Sequence, residues 1–177
     1  MPGVTNNCSL ALKGMARDCE PSQGGLKRIL FAPASAITSV TADNGVISAI
    51  SPEGKPFYEY KLRPGTSNWV STIKKDETTG ANYRETVISL QFNRMSADKW
   101  AEVEALANDD LVAISEDMNG KYWYHGFDDP VTANGGESGT GQARGDANHY
   151  GITLIDNSRQ LPMEVSESII DGLVNAL

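Results

Sequence analysis

The side chains able to do chemistry are few, and their spacing does not assemble them. His125 and His149 are the two imidazoles. A histidine works as base or ligand only beside partners that orient it, so both are read as structural residues. Ser138, in Gly135-Gly136-Glu137-Ser138-Gly139-Thr140-Gly141, is spaced like the serine of a nucleophile elbow. That motif needs a strand before the serine and a helix after it, and both flanks here read as loop. Gly139-x-Gly141 likewise lacks the strand, helix and lysine of a phosphate cradle. Asp128-Asp129, Asp109-Asp110 and the turn Asp43-Asn44-Gly45 offer oxygens of the kind calcium takes, but solvated turns explain them better. Cys8 and Cys19 are too few for a zinc site. A reducing compartment would keep them as free thiols, and a small disulfide-closed loop is the alternative. The aromatic residues Tyr58, Tyr60, Trp69, Tyr122, Trp123 and Tyr124 suit either a stacking platform for sugars or bases, or plain packing. The residues that catalysis needs are missing as a set, so no cofactor and no metal is expected and the chain is read as a non-enzyme.

The elements that could hold such groups follow from composition and pattern. The chain has 177 residues, 40% of them apolar, with 15 Lys+Arg against 23 Asp+Glu and a net charge of −8. That suits one domain with a real core. The acidic balance argues against gripping nucleic acid through its phosphates, which takes clustered Lys and Arg. No apolar run is long enough to span a bilayer and Met1–Leu12 does not resemble a signal peptide, so a soluble protein made in the cytoplasm, with no membrane partner, is expected.

Residues 1–25 read as an extended arm ending in Pro21-Ser22-Gln23-Gly24-Gly25. Residues 26–165 read as a β domain. Strands are expected at Leu26–Ala32, Val46–Ile50, Phe57–Arg63, Trp69–Lys75, Tyr83–Arg94 and Tyr150–Asp156. In the fifth of these, Thr86, Ile88, Leu90 and Phe92 alternate with Glu85, Val87, Ser89 and Gln91, which marks a sheet with one wet face. Ser96 caps a helix over 96–108 whose stripe Trp100, Val103, Leu106 and Ala107 should pack on a sheet. Leu111–Glu116 and Lys121–Phe127 form a hairpin around Met118-Asn119-Gly120, read as a type I′ turn. The segment 130–145 reads as a large glycine-rich loop or loosely formed hairpin, and 166–177 as a C-terminal segment with a final helical turn. The sum is mainly β: an antiparallel β-sandwich or open barrel of about eight strands with one packed helix.

The order of these segments, with Gly24-Gly25-Leu26-Lys27, Gly120-Lys121-Tyr122-Trp123, Gly139-Thr140-Gly141, Gly145-Asp146-x-Asn148 and Ser168-Ile169-Ile170-x-Gly172-Leu173, resembles a group of phage virion proteins. The similarity is to tail-tube-like and neck-ring structural proteins of crAss-like and other phages and prophages of gut Bacteroides-type bacteria. It runs from about Cys19 to Gly172. The resemblance implies two packed antiparallel sheets flanked by a helix, and subunits joined edge to edge into a ring, expected to be hexameric, with a continuous β-barrel as inner wall. It implies a place in the tail or neck of the virion, neighbouring tail or neck proteins as partners, and DNA passing through the lumen without specific binding. Subunit contacts are then expected at the arm (Gly24, Gly25), at the turn 76–82 (Thr79, Gly80) and in the glycine-rich segment (Gly135, Gly136, Gly139, Gly141). Glu85, Ser89 and Gln91 are candidate lumen residues, and the basic pairs Lys27-Arg28 and Lys74-Lys75 would oppose free passage if they lined it. The competing reading is a stand-alone β-sandwich binding module, a head decoration or a carbohydrate binder using Tyr122–Tyr124.

Overall fold

The computed structural model describes residues 14–51 and 55–175. Twelve strands follow one another as β1 Leu26–Pro33, β2 Ser39–Asp43, β3 Val46–Ser51, β4 Phe57–Lys61, β5 Asn68–Lys75, β6 Asn82–Asn93, β7 Leu111–Asp117, β8 Tyr122–His125, β9 Thr132–Gly139, β10 His149–Ser158, β11 Met163–Val165 and β12 Val174–Asn175. Helix α1 spans Ala97–Asn108 and α2 spans Glu167–Leu173.

β1 and β7 contain the apolar runs Ile29–Pro33 and Leu111–Ile114, in which polar residues do not alternate. Strands of that kind belong where both faces of a sheet are covered. They pair with each other at the middle of an eight-stranded sheet ordered β12-β4-β1-β7-β8-β11-β3-β2. This sheet curls, and all its pairings are antiparallel except β11 with β3 and β12 with β4. One of its faces encloses Leu30, Ile47, Phe57, Val112, Ile114 and Val165, and α2 closes over that core with Ile170 and Leu173. The other face carries Ile29, Phe31, Leu111 and Ala113 onto a second sheet.

The second sheet is wholly antiparallel and has the order β5-β6-β10-β9. Ile88, Leu90, Ile152 and Leu154 point from it into the shared core. Their neighbours Glu85, Ser89 and Gln91 point the other way, onto a face that no element covers among the described residues. The alternation read in residues 86–92 is therefore the period of a sheet covered on one side.

The fold is mainly β, as expected. Of the two readings of 130–145, the hairpin is the one observed: Thr132–Gly139 pairs along β10 as an edge strand, and Gly136 fits there because a Cβ would stand 2.6 Å from the carbonyl oxygen of Gly151. The fold differs from the sequence reading in three places. Asn119-Gly120 does not form the type I′ turn. Gly120 alone has positive φ (79°), and with Gly120 N–H donating to Asp117 and Asp117 N–H to Lys121 this is a three-residue loop. The two-residue turn with both dihedrals positive lies at Asn44 (51°) and Gly45 (83°), between β2 and β3. The stripe on α1 is only partly covered: Ser96 caps the helix as expected, but Leu106 is buried and Trp100 is 56% exposed, because the helix lies along the β9 margin of the sandwich. Finally β2, β11 and β12 were not expected; they are short or polar, and long-range pairing makes them strands.

Candidate functional site

The residues singled out for chemistry are placed apart and mostly used up. His125 is fully buried, with Nε2 2.9 Å from Ser115 Oγ and its ring edge-on to Trp69 at 5.3 Å. Its Nδ1 has no hydrogen-bond partner, and burial pushes the imidazole down to about 3, so it is neutral. A serine–histidine pair sealed in the core, with no carboxylate on the second nitrogen, has no route to a substrate. His149, at the start of β10, stands 4.0 Å from Glu137. Ser138 is exposed within β9 and no helix follows it.

The Asp128 carboxylate accepts from the backbone N–H and guanidinium of Arg159 at 2.7 and 2.8 Å, and these bonds hold it below the usual carboxylate range. Asp156 is buried, which pushes its carboxyl up, and accepts from Gly126 N–H (3.0 Å) and Ser158 Oγ (2.9 Å). Asp109 ends α1, and the Asp110 carbonyl accepts from Ala34 N–H. Among the described residues, no group of three or more His, Cys, Asp and Glu is placed to hold a metal. Cys19 is an exposed free thiol, and Cys8 lies outside the described residues. Tyr122 and Tyr124 are buried, so the strand Tyr122–Tyr124 offers no stacking platform.

A polar network that sequence reading missed lies on the eight-stranded sheet. Arg28 donates to Glu59 (2.8 Å), to the Tyr122 hydroxyl (2.9 Å) and to Glu116, which also takes Lys27 Nζ at 2.6 Å. Burial pushes the Glu116 carboxyl up, but the bonds from Lys27 and Arg28 outweigh it and leave the group below its ordinary value. The partners stand 31 to 94 residues from Arg28 in the chain, so no local pattern could have announced them. The pair Lys27-Arg28 is thereby neutralised on a sheet away from the uncovered face.

What remains open is the four-stranded sheet itself. β5 and β9 each present eight residues of edge with no strand beyond them among the described residues. Isolated edges of this length are a hazard that proteins usually shorten, charge or cover. The uncovered face carries Thr72, Lys74, Glu85, Ser89, Gln91, Glu137 and Thr153 by register, with Lys74 Nζ 3.4 Å from Glu85.

The expected contact residues fall at three sites. Gly24 and Gly25 precede β1, where the Gly25 carbonyl accepts from Met118 N–H and Gln23 exchanges two hydrogen bonds with Asn119. Thr79 and Gly80 form the tip of the β5–β6 hairpin, ordered by the Asp76 carboxylate accepting from the amides of Thr78 and Thr79. Gly135, Gly136 and Gly139 lie on the β9 edge, and Gly141 follows in a turn where Asp146 accepts from the amides of Gln142 and Ala143. The register places the two hairpin tips at opposite ends of the sheet. Comparison of the chain with family models, with curated proteins and with solved structures finds no match.

Proposed function

We propose that this chain is a non-enzymatic structural subunit of a phage virion, closing into rings of the tail tube or neck that leave a passage for DNA. The observation that carries this reading is the four-stranded antiparallel sheet, which among the described residues has two long unpaired edges and one uncovered face. An even number of alternating strands means that copies related by rotation meet β9 against β5 in antiparallel sense, so the ladder continues without a break. Closure removes both edges at once. Only the uncovered face can turn inward, since the other is filled by the eight-stranded sheet. That puts Glu85, Ser89 and Gln91 at the lumen, with Lys74 offset by Glu85 and no cluster of cations to hold phosphates. Six copies of a four-stranded sheet close a barrel of about 24 strands, wider than the 16–18-stranded barrels that already hold an aqueous channel. The two hairpin tips, at opposite ends, are placed to touch the rings above and below. The resemblance to tail-tube-like and neck-ring proteins supports the same role.

A stand-alone binding module is the second reading. What supports it is a groove of about 390 Å³ lined by Tyr58, Tyr60, Phe92 and Val103, where the Tyr60 hydroxyl donates to Glu102 at 2.6 Å. Negative-stain microscopy with mass measurement over a concentration series separates the two. Rings or tubes with a central hole are expected; one subunit's mass at every concentration, with glycan binding, would favour the module.

A further inference from the structure

We infer that Ile73 of one copy seats beside Ala133 and Gly136 of the next, against the Trp100–Val103 flank of α1, so that the groove along β9 is completed only by the neighbour. This rests on the ring reading above and adds the contact that gives the ring its specificity.

The two halves of the contact are both exposed in the single chain. Ser71 and Thr86 share a hydrogen bond of 2.9 Å on the core side of β5 and β6. The two-residue period puts Ile73 on that same side, yet it is 57% exposed because the hairpin runs past the core. Across the sheet, α1 and β9 frame a groove of about 360 Å³ lined by Trp100, Val103, Ala107, Ala133, Gly136 and Ile152. It opens on the core side of the unpaired β9 edge, where a strand added to that edge would direct its core-facing residues.

Charge tells the two edges apart. The one charged side chain of β9 is Glu137, whereas β5 has Lys74 and Lys75 and no acid. Pairing β5 with β5 brings lysines together, whereas β9 beside β5 puts Glu137 on the face that carries Lys74, opposite Val70 at a strand shift of four and opposite Thr72, diagonal to Lys74, at a shift of six. A contact between unlike edges propagates round a ring, and a two-fold dimer through β5 is disfavoured.

The chain also decides which way the strands slide. Arg94 N–H donates to the Asn148 carbonyl at 2.7 Å, so even-numbered residues of β10 turn their backbone polar groups toward β6. Ile152 and Leu154 belong to that set and point into the core. For L-residues this fixes β5 on the right and β9 on the left, viewed from the core with β10 running upward. Strands of a closed barrel tilt with a right-handed sense. Four strands about 4.8 Å apart, tilted about 35–45°, shift each copy by about 4–6 residues against the next. Side-chain alternation allows only even shifts. A shift of four sets Ile73 opposite Ala133; a shift of six sets it opposite Gly136 and brings Lys75 opposite Ala133. The reverse sense would carry Ile73 off the end of β9.

The test uses the full chain with Cys8→Ser and Cys19→Ser as background. Ala133→Cys is combined with Ile73→Cys or with Lys75→Cys, since residues opposite in an antiparallel pair lie within disulfide reach. Mild oxidation should yield a ladder of covalent oligomers from one of the two pairs, and none from Ala133→Cys with Thr41→Cys on the edge strand of the other sheet. Ile73→Arg should keep the circular dichroism of the folded subunit while raising the concentration for half-assembly about tenfold or more. Wild-type rings with no ladder from either pair, and normal assembly of Ile73→Arg, would overturn this contact and leave the ring reading standing. A wild type that stays monomeric at every concentration would overturn both.

Discussion

β7 and β10 are both interior strands, and they are buried in different ways. β7 is buried along six consecutive residues, Leu111 to Glu116, between cores on both faces. β10 is buried at alternate positions, Ile152, Leu154, Asp156 and Ser158, with the half-exposed Thr153 and Ile155 and the exposed Asn157 between them. The margins of their sheets differ in the same sense. The eight-stranded sheet ends in β12, two residues long, and in β2, which packs Val40 onto the core. The four-stranded sheet ends in two eight-residue strands, β5 and β9, whose outer ladders pair with nothing among the described residues. One sheet tapers to short margins; the other keeps two long edges with no strand beyond them among the described residues.

The comparison breaks first if the closed sheet is not where stability resides. Phe57→Ala, in its enclosed core, should lower unfolding free energy by about 3–5 kcal/mol in urea titrations, while Val87→Ala on the uncovered face stays within about 0.5 kcal/mol. Equal costs would mean that the second face is covered in the monomer. Next is acid sensitivity at the junction of the sheets. His125 is held neutral down to about 3, so between the ordinary histidine range and that value the unfolded chain binds a proton that the folded one does not. Stability should therefore fall as pH drops from about 6.5, by about 1.4 kcal/mol per pH unit, and His125→Gln should flatten that slope.

Smaller again is Glu116→Gln, which leaves Lys27 and Arg28 without their shared carboxylate and should cost about 1–3 kcal/mol at neutral pH. Because the folded carboxyl lies below its ordinary value, this contribution is present above the unfolded carboxylate range. It vanishes as pH falls through the depressed value, so the two proteins' stability curves should converge in acid. The smallest effect belongs to the turn: Gly45→Ala, at a φ of 83°, should cost about 1 kcal/mol by thermal melt.

Much of this architecture was legible in the sequence wherever one residue's neighbours repeat its message. The apolar runs of β1 and β7, the alternation of β6 and the Ser96 cap all announce themselves locally. For β9 the sequence offers a loop or a loosely formed hairpin without deciding between them, because Thr132–Gly139 has neither apolar alternation nor β-branched density and becomes a strand through the ladder of β10. The network on Arg28 was hidden for the same reason, its partners being distant in sequence. The polar members of β6 share one face by their two-residue period, but the sequence does not show which way that face turns. Trp100 misled, since its spacing matches Leu106 but the helix margin leaves it open.

The strand order also bears on when a subunit can exist. Among the described residues, Met163–Val165 is the strand that joins β3 to β8, so the hairpin of residues 39–51 gains its pairing with the rest of the sheet only after synthesis has passed Val165. α2 and β12 then close the core from the far side. A ribosome-bound fragment that already carries both free edges, β5 and β9, still lacks the finished half that steadies them. The four-stranded sheet, whose last strand ends at Ser158, is thus made before the strands that complete the other sheet.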